Sequence, residues 1–188
     1  MQTQPPASMP LIQRAAIGLL VFLLLLLAGL RSAHAVEIVP SVGVSKMTDA
    51  DDQKVFVALG LRQSLLPRIE TEINVGYRKE AEEGAFEMST IPVTLSLWVS
   101  PVPMLYAGGG AGAYFQAFRY DDSLLIPNES ETQWGAHVGG GFRFPLAPMA
   151  KVDLNAKYVF LGEKTTTFST GSFDPSFWTA SAGLAIGF

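Results

Sequence analysis

Cysteine is absent from all 188 residues, and that absence removes disulfides, thiolate metal sites and cysteine nucleophiles together. Histidine is almost absent too: His34 and His137 are the only two, so histidine-based catalysis has few places to reside. Positive charge is scarce, with 13 Lys and Arg against 17 Asp and Glu, and an acidic chain is a poor nucleic-acid binder. No internal repeat or low-complexity linker divides the chain, and no run is apolar for long enough to make a comfortable helical membrane span. The longest, Ala15 to Leu30, holds 16 residues, short of the roughly 18 to 20 that a helix needs to cross a hydrocarbon core.

That stretch reads as an address. Arg14 is the only charged side chain before it, and small residues follow at Ala33 and Ala35, the two positions a signal peptidase reads. The expectation is a signal peptide over 1–35, cleaved between Ala35 and Val36, and a mature domain over 36–188 of 188 − 35 = 153 residues. Its charge is 11 Lys and Arg minus 17 Asp and Glu, or −6. An exported domain of this size without disulfides must hold itself together in another way, and a closed sheet is one solution.

What is present after Ala35 is period two. Apolar residues alternate with polar ones between clusters of Gly, Pro, Asp and Ser, which predicts strands near 36–45, 53–63, 68–78, 86–100, 104–118, 132–144, 151–161 and 174–188. Val152, Leu154, Ala156, Tyr158 and Phe160 oppose Lys151, Asp153, Asn155 and Lys157. Tyr77, Phe115, Trp134, Phe144, Tyr158, Phe160, Trp178 and Phe188 share the apolar parity and sit near strand ends, as interfacial aromatic girdles require. The connections alternate as well. Those around 65–67, 101–103 and 145–150 are short, uncharged and proline-bearing, and those around 46–54, 79–85, 119–131 and 162–173 are polar. The predicted fold is all-β, an eight-stranded antiparallel up-and-down transmembrane barrel with both termini periplasmic. Eight strands enclose an interior just wide enough for side chains to fill it.

The last strand carries a resemblance. Residues 178–188, WTASAGLAIGF, end on an aromatic, with Trp178, Leu184, Ile186 and Phe188 on one face and Gly183 between them. This resembles the C-terminal assembly signal of outer-membrane β-barrels. Residues 105–114, LYAGGGAGAY, and 134–142, WGAHVGGGF, resemble the glycine-rich strands of the small OmpA/OmpX-like barrel superfamily. The resemblance implies a bacterial outer-membrane location, insertion by the barrel-assembly machinery, and outer-membrane lipid and lipopolysaccharide as surroundings. A monomer without a cofactor is expected.

On this parity nine charged residues point inward: Glu37, Arg62, Glu70, Glu72, Arg78, Arg143, Lys151, Asp153 and Lys157. Five bases balance four acids, so a salt-bridged plug is expected in preference to an ion or proton path, since buried charges are paired. Removing these and the periplasmic Arg68 leaves 17 − 4 = 13 acids against 11 − 6 = 5 bases on the outward loops and strand tips. Asp49, Asp51 and Asp52, then Glu80, Glu82 and Glu83, then Asp121 and Asp122 form clusters, but none has the spacing of a calcium loop, which favours solvated loop charge.

Small outer-membrane barrels include lipid A-modifying enzymes. The deacylase His-x-Ser-Asn signature is missing here, because Val138, Gly139 and Gly140 follow His137. Ser169, Ser172, Ser176 and Ser181 are the remaining nucleophile candidates, and His137 is expected as a packed interior residue. Gly108, Gly110, Gly112, Gly135, Gly139 and Gly141 share the inward parity. They make a wall without side chains, suited either to a small apolar ligand or to curvature and the admission of Tyr106, Tyr114 and Phe177. The expected function is a non-enzymatic barrel serving envelope integrity or surface interaction through acidic loops. The alternatives are a narrow conduit or binder for small apolar molecules and a lipid A-modifying enzyme.

Overall fold

The computed structural model describes residues 36–48, 52–83, 86–120, 129–162, 164–165 and 172–188. Ala33 and Ala35 of the expected cleavage site lie outside them, as do Asp49, Asp51, Asp121, Asp122 and Ser169. Among the described residues, ten strands run in chain order: β1 (Val36–Met47), β2 (Lys54–Leu66), β3 (Ile69–Glu83), β4 (Phe86–Val102), β5 (Leu105–Tyr120), β6 (Glu129–Ala147), β7 (Ala150–Leu161), β8 (Lys164–Thr165), β9 (Ser172–Phe173) and β10 (Phe177–Gly187). Eight of them close a barrel in the order β1-β10-β7-β6-β5-β4-β3-β2, while β8 and β9 pair only with each other. Closure gives every barrel strand two neighbours, the condition for leaving no backbone edge unpaired in hydrocarbon.

Strand positions follow the sequence reading, but their lengths do not. β3 runs to Glu83 and β6 starts at Glu129, because ladder pairing continues past the apolar segment into polar residues such as Glu83, which pairs with Phe86. The final barrel strand starts at Phe177 rather than at residue 174. Pro175 has no N–H to give a ladder, and the Ser176 amide donates to the Asp174 side chain at 2.9 Å, so the chain turns before it extends.

The connections β2–β3, β4–β5 and β6–β7 are two-residue turns beginning with proline: Pro67–Arg68, Pro103–Met104 and Pro148–Met149. Proline sets the φ that the first central turn position requires. The seam between first and last strands closes at this same end. Phe188 N–H donates to the Val36 carbonyl at 3.1 Å, and Gly187 N–H donates to the Met149 carbonyl at 2.8 Å.

Side chains sort as period two demands. Val42, Val57, Leu59, Leu95, Trp134, Val138, Phe142, Leu154 and Phe160 are exposed on the outer face. Trp98, Tyr106, Tyr114, Phe177, Arg62, Glu72, Arg78, Asp153 and His137 are buried inside. An outer surface this apolar is unstable in water and suits a lipid environment.

Candidate functional site

The interior is the place where this chain concentrates its chemistry. Arg62 and Glu72 are register partners on adjacent strands, and Arg62 Nε donates to Glu72 Oε2 at 2.9 Å. Its Nη1 reaches in the other direction, to Asp153 Oδ2 on β7 at 2.6 Å, three places away around the barrel. Asp153 also accepts from the Tyr106 hydroxyl at 2.6 Å and lies 3.4 Å from Arg143 Nε. Arg143 on β6 spans the lumen to Glu70 on β3 at 2.6 Å. Lys157 Nζ meets Glu72 Oε1 at 3.2 Å, and their strands, β7 and β3, stand diametrically opposite. Glu37 accepts from Lys151 Nζ nearer the rim. Six of the seven charged residues expected in the interior network stand in one connected set of ion pairs, several of them crossing the lumen, while Glu37 pairs separately with Lys151.

Aromatic rings complete this layer. Trp98, fully buried, stands edge-on to Tyr106 with ring centroids 5.3 Å apart. The Arg143 and Arg62 guanidiniums lie 4.3 and 5.1 Å from the Tyr106 ring centre, and Lys157 Nζ lies 5.2 Å from the Trp98 ring centre. Cations placed over ring faces gain electrostatically from the ring quadrupole, most of all where water is excluded. A second layer lies farther from the proline turns, where Arg78 covers the Phe177 ring at 3.5 Å and Phe177 packs edge-on against Tyr114.

The glycines explain how residues on non-adjacent strands meet. Trp98, Gly108, Gly139 and Lys157 form one register row across β4, β5, β6 and β7. Two positions without side chains let the indole and the ammonium meet above them. In the next row Gly141 separates Tyr106 from Asn155, and Asn155 Nδ2 donates to the Tyr106 hydroxyl at 2.8 Å across it. A Cβ at Gly141 would come within 2.6 Å of that hydroxyl. The glycine wall is covered by protein side chains, and the space left beside His137, Tyr114 and Phe177 is only about 30 Å3, far below the roughly 300–1,000 Å3 of a small-molecule site.

His137 is paired with a serine that inspection of the sequence did not single out. Ser96, Gly110 and His137 share a register row, and Ser96 Oγ lies 2.8 Å from His137 Nε2. The only advance signal was that Gly110 would lie between them once the β4–β5–β6 register was known. A hydrolytic triad needs an orienting group on the second imidazole nitrogen, but His137 Nδ1 has no hydrogen-bond partner among the described residues. Ser176 is tied instead to the Leu161 backbone, accepting from its N–H at 3.1 Å, and the side chain of Ser172 lies outside the described residues. A His137→Ala variant is therefore expected to leave lipid A composition unchanged while costing about 1–3 kcal/mol of stability, because the buried Ser96 hydroxyl loses its partner. Lipid A mass spectrometry and urea unfolding read the two effects separately.

At the C-terminus, Trp178, Leu184, Ile186 and Phe188 follow the outward parity, with Ile186 and Phe188 well exposed, while Gly183 lies against the Pro40 carbonyl and Ser41 of β1. Among the outward acids, Asp52 forms an exposed ion pair with Lys54 at 3.6 Å. The side chains of Glu80, Glu82 and Glu83 lie outside the described residues. Among those described, no group of three or more His, Asp or Glu could hold a metal.

No protein-family model matches the chain, and no curated protein matches it. Solved structures do. The outer membrane protein OprG of Pseudomonas aeruginosa is similar at a TM-score of 0.59 and 14% identity, covering 82% of this chain and 95% of its own. Neisserial surface protein A gives 0.57 and 14%, covering 84% of this chain and 98% of its own. Ail, the attachment invasion locus protein of Yersinia pestis, solved with the heparin analogue sucrose octasulfate, gives 0.56 and 16%, covering 84% of this chain and all of its own. With its closed eight-strand topology, apolar outer face and filled interior, this chain has the fold of the small eight-stranded outer-membrane β-barrels.

Proposed function

We propose that this chain is a non-enzymatic outer-membrane barrel that contributes to envelope integrity or surface interaction through its acidic outward connections. Both termini are periplasmic in this reading, after cleavage between Ala35 and Val36. Outer-membrane lipid and lipopolysaccharide surround a monomer inserted by the barrel-assembly machinery, for which Trp178, Gly183, Leu184, Ile186 and Phe188 supply the end signal. The observation that carries the reading is the set of ion pairs spanning the lumen, above all Lys157 to Glu72 between opposite walls and Arg62 to Asp153. A lumen crossed by paired charges and filled by Trp98 and Tyr106 supports a sealed scaffold over a conduit, and leaves the outward connections as the part that varies with partners.

Charge narrows the partner. The Yersinia protein is solved with a polyanion, whereas 13 acids against 5 bases on the outward tips of this chain would repel one. That balance favours basic or cation-bridged surfaces.

The test has two arms. The protein is expected in the outer-membrane fraction, migrating faster on a denaturing gel when unheated than when boiled, and to give no conductance in planar bilayers. Recovery in the soluble periplasm would overturn the location, and steady channel openings would overturn the sealed lumen.

A further inference from the structure

The periplasmic mouth of the barrel holds a recess of about 550 Å3 lined by Arg68, Glu70, Arg143 and Lys151, with Met104 and Pro145 at its apolar side. Three cations face it against one carboxylate. The pairing already described accounts for two of them: Arg143 is matched by Glu70 and Lys151 by Glu37. Deeper in, Arg62 and Lys157 are matched by Glu72 and Asp153. Among these eight residues four acids balance four bases, and the fifth interior base, Arg78, lies in the other layer over Phe177. At this mouth Arg68 is the surplus charge, and among the described residues it has no carboxylate partner.

Its backbone is unusual as well. Arg68 is the second residue of the Pro67–Arg68 turn and has φ of 72°, the only non-glycine residue with positive φ among those described. Glycine occupies such a turn position without penalty, and a side chain with a Cβ is disfavoured there. An arginine at a position that favours glycine, lining a recess that two further cations share, is a candidate for a role beyond making the turn.

We infer that this mouth is an anion site for a phosphate group, held by Arg68 with Lys151 and Arg143 around it. A guanidinium donates two parallel N–H bonds to phosphate oxygens. One surplus positive charge matches a singly charged phosphodiester, and the apolar flank at Met104 and Pro145 suits the glycerol and acyl portion beside such a group. The phosphate is that of a phospholipid headgroup in the periplasmic leaflet or of a soluble phosphoester. The lipid source rests on the outer-membrane reading above.

The experiment uses the mature protein extracted folded in detergent and measures adducts by native mass spectrometry. The probes are dioleoyl phosphatidylglycerol, dioleoylglycerol as the same lipid without phosphate, and glycerol 3-phosphate. Phosphatidylglycerol is expected to bind and dioleoylglycerol not to. Arg68→Gly is expected to weaken phosphatidylglycerol binding about tenfold, the loss of one charge-assisted contact. That variant also relieves the turn, so it should be at least as resistant to urea as the wild type, and lost binding cannot be ascribed to misfolding. Arg68→Lys should bind at an intermediate level, having charge without the fork. Binding of glycerol 3-phosphate with equal dependence on Arg68 would support the site and assign a soluble source. Equal binding of dioleoylglycerol and phosphatidylglycerol, or equal binding by wild type and Arg68→Gly, would overturn it. Unheated gel migration separates the two levels: if the wild type shows no folded band, the membrane reading fails, whereas a folded band without phosphate-dependent binding fails the site alone.

Discussion

Asp153→Ala is expected to destabilise the barrel by about 3–5 kcal/mol, the range for removing one member of a buried charge group and leaving its partners uncompensated. Asp153 is almost fully buried and is the junction of the network: Arg62 at 2.6 Å, the Tyr106 hydroxyl at 2.6 Å and Arg143 Nε at 3.4 Å all converge on its two oxygens. Its loss leaves two guanidiniums sharing the interior with Glu70 and Glu72 only, and Glu72 is already shared with Lys157. Asp153→Asn keeps the volume and an acceptor for Tyr106 while removing the charge, so it should fall between the wild type and alanine. Lys151→Ala, at the rim with its side chain 40% exposed, should cost under about 1 kcal/mol, because solvent screens an exposed pair. Urea unfolding in phospholipid vesicles, followed by the shift between folded and unfolded gel bands, reads all three. An Asp153→Ala variant within 1 kcal/mol of the wild type would show that the charges are solvated by interior water instead of by each other.

The strand pattern and the interior charges were legible because both depend on parity alone. Lys151, Asp153, Asn155 and Lys157 must share a face whatever their partners are, and the aromatic ends of β7 and β10 must share the other. Pairing was not legible, because it depends on register around a closed ring. Nothing local in the sequence says that Lys157 reaches Glu72 on the opposite wall, or that Ser96 lies beside His137 with Gly110 between them. Glycine was legible as a wall, but its purpose emerged only when the rows were aligned: Gly108 and Gly139 are the empty positions over which Trp98 meets Lys157. The strand ends drifted for a related reason. Ladder hydrogen bonds do not require an apolar side chain, so β3 and β6 continue through glutamates that a hydropathy pattern assigns to loops. Arg68 read simply as a periplasmic charge, since positive φ is a property of the turn that Pro67 begins and not of arginine.

Trp98→Ala is expected to do what the ion pairs prevent, and to open the lumen. The indole is the largest fully buried side chain among the described residues; its register partners are Gly108, which has no side chain to move into the space it leaves, and Glu70, which is held by Arg143. The cavity therefore persists, and the truncation should cost about 3–5 kcal/mol, as for other large aromatic-to-alanine changes in packed interiors. Such a cavity would not stay dry. Lys157 and the Tyr106 ring border it, and Glu72 is paired with that lysine, so water has the polar partners it needs to enter. Once hydrated, the Lys157–Glu72 pair exchanges direct attraction for solvation and loses its hold across the lumen. Small, discrete openings should then appear in planar bilayers where the wild type is expected to be silent. Trp98→Phe, which keeps most of the volume, should remain closed, and that separates a plug from a merely destabilised barrel. If Trp98→Ala folds and stays as silent as the wild type, the ion pairs alone seal the lumen, and the indole contributes stability without acting as the barrier.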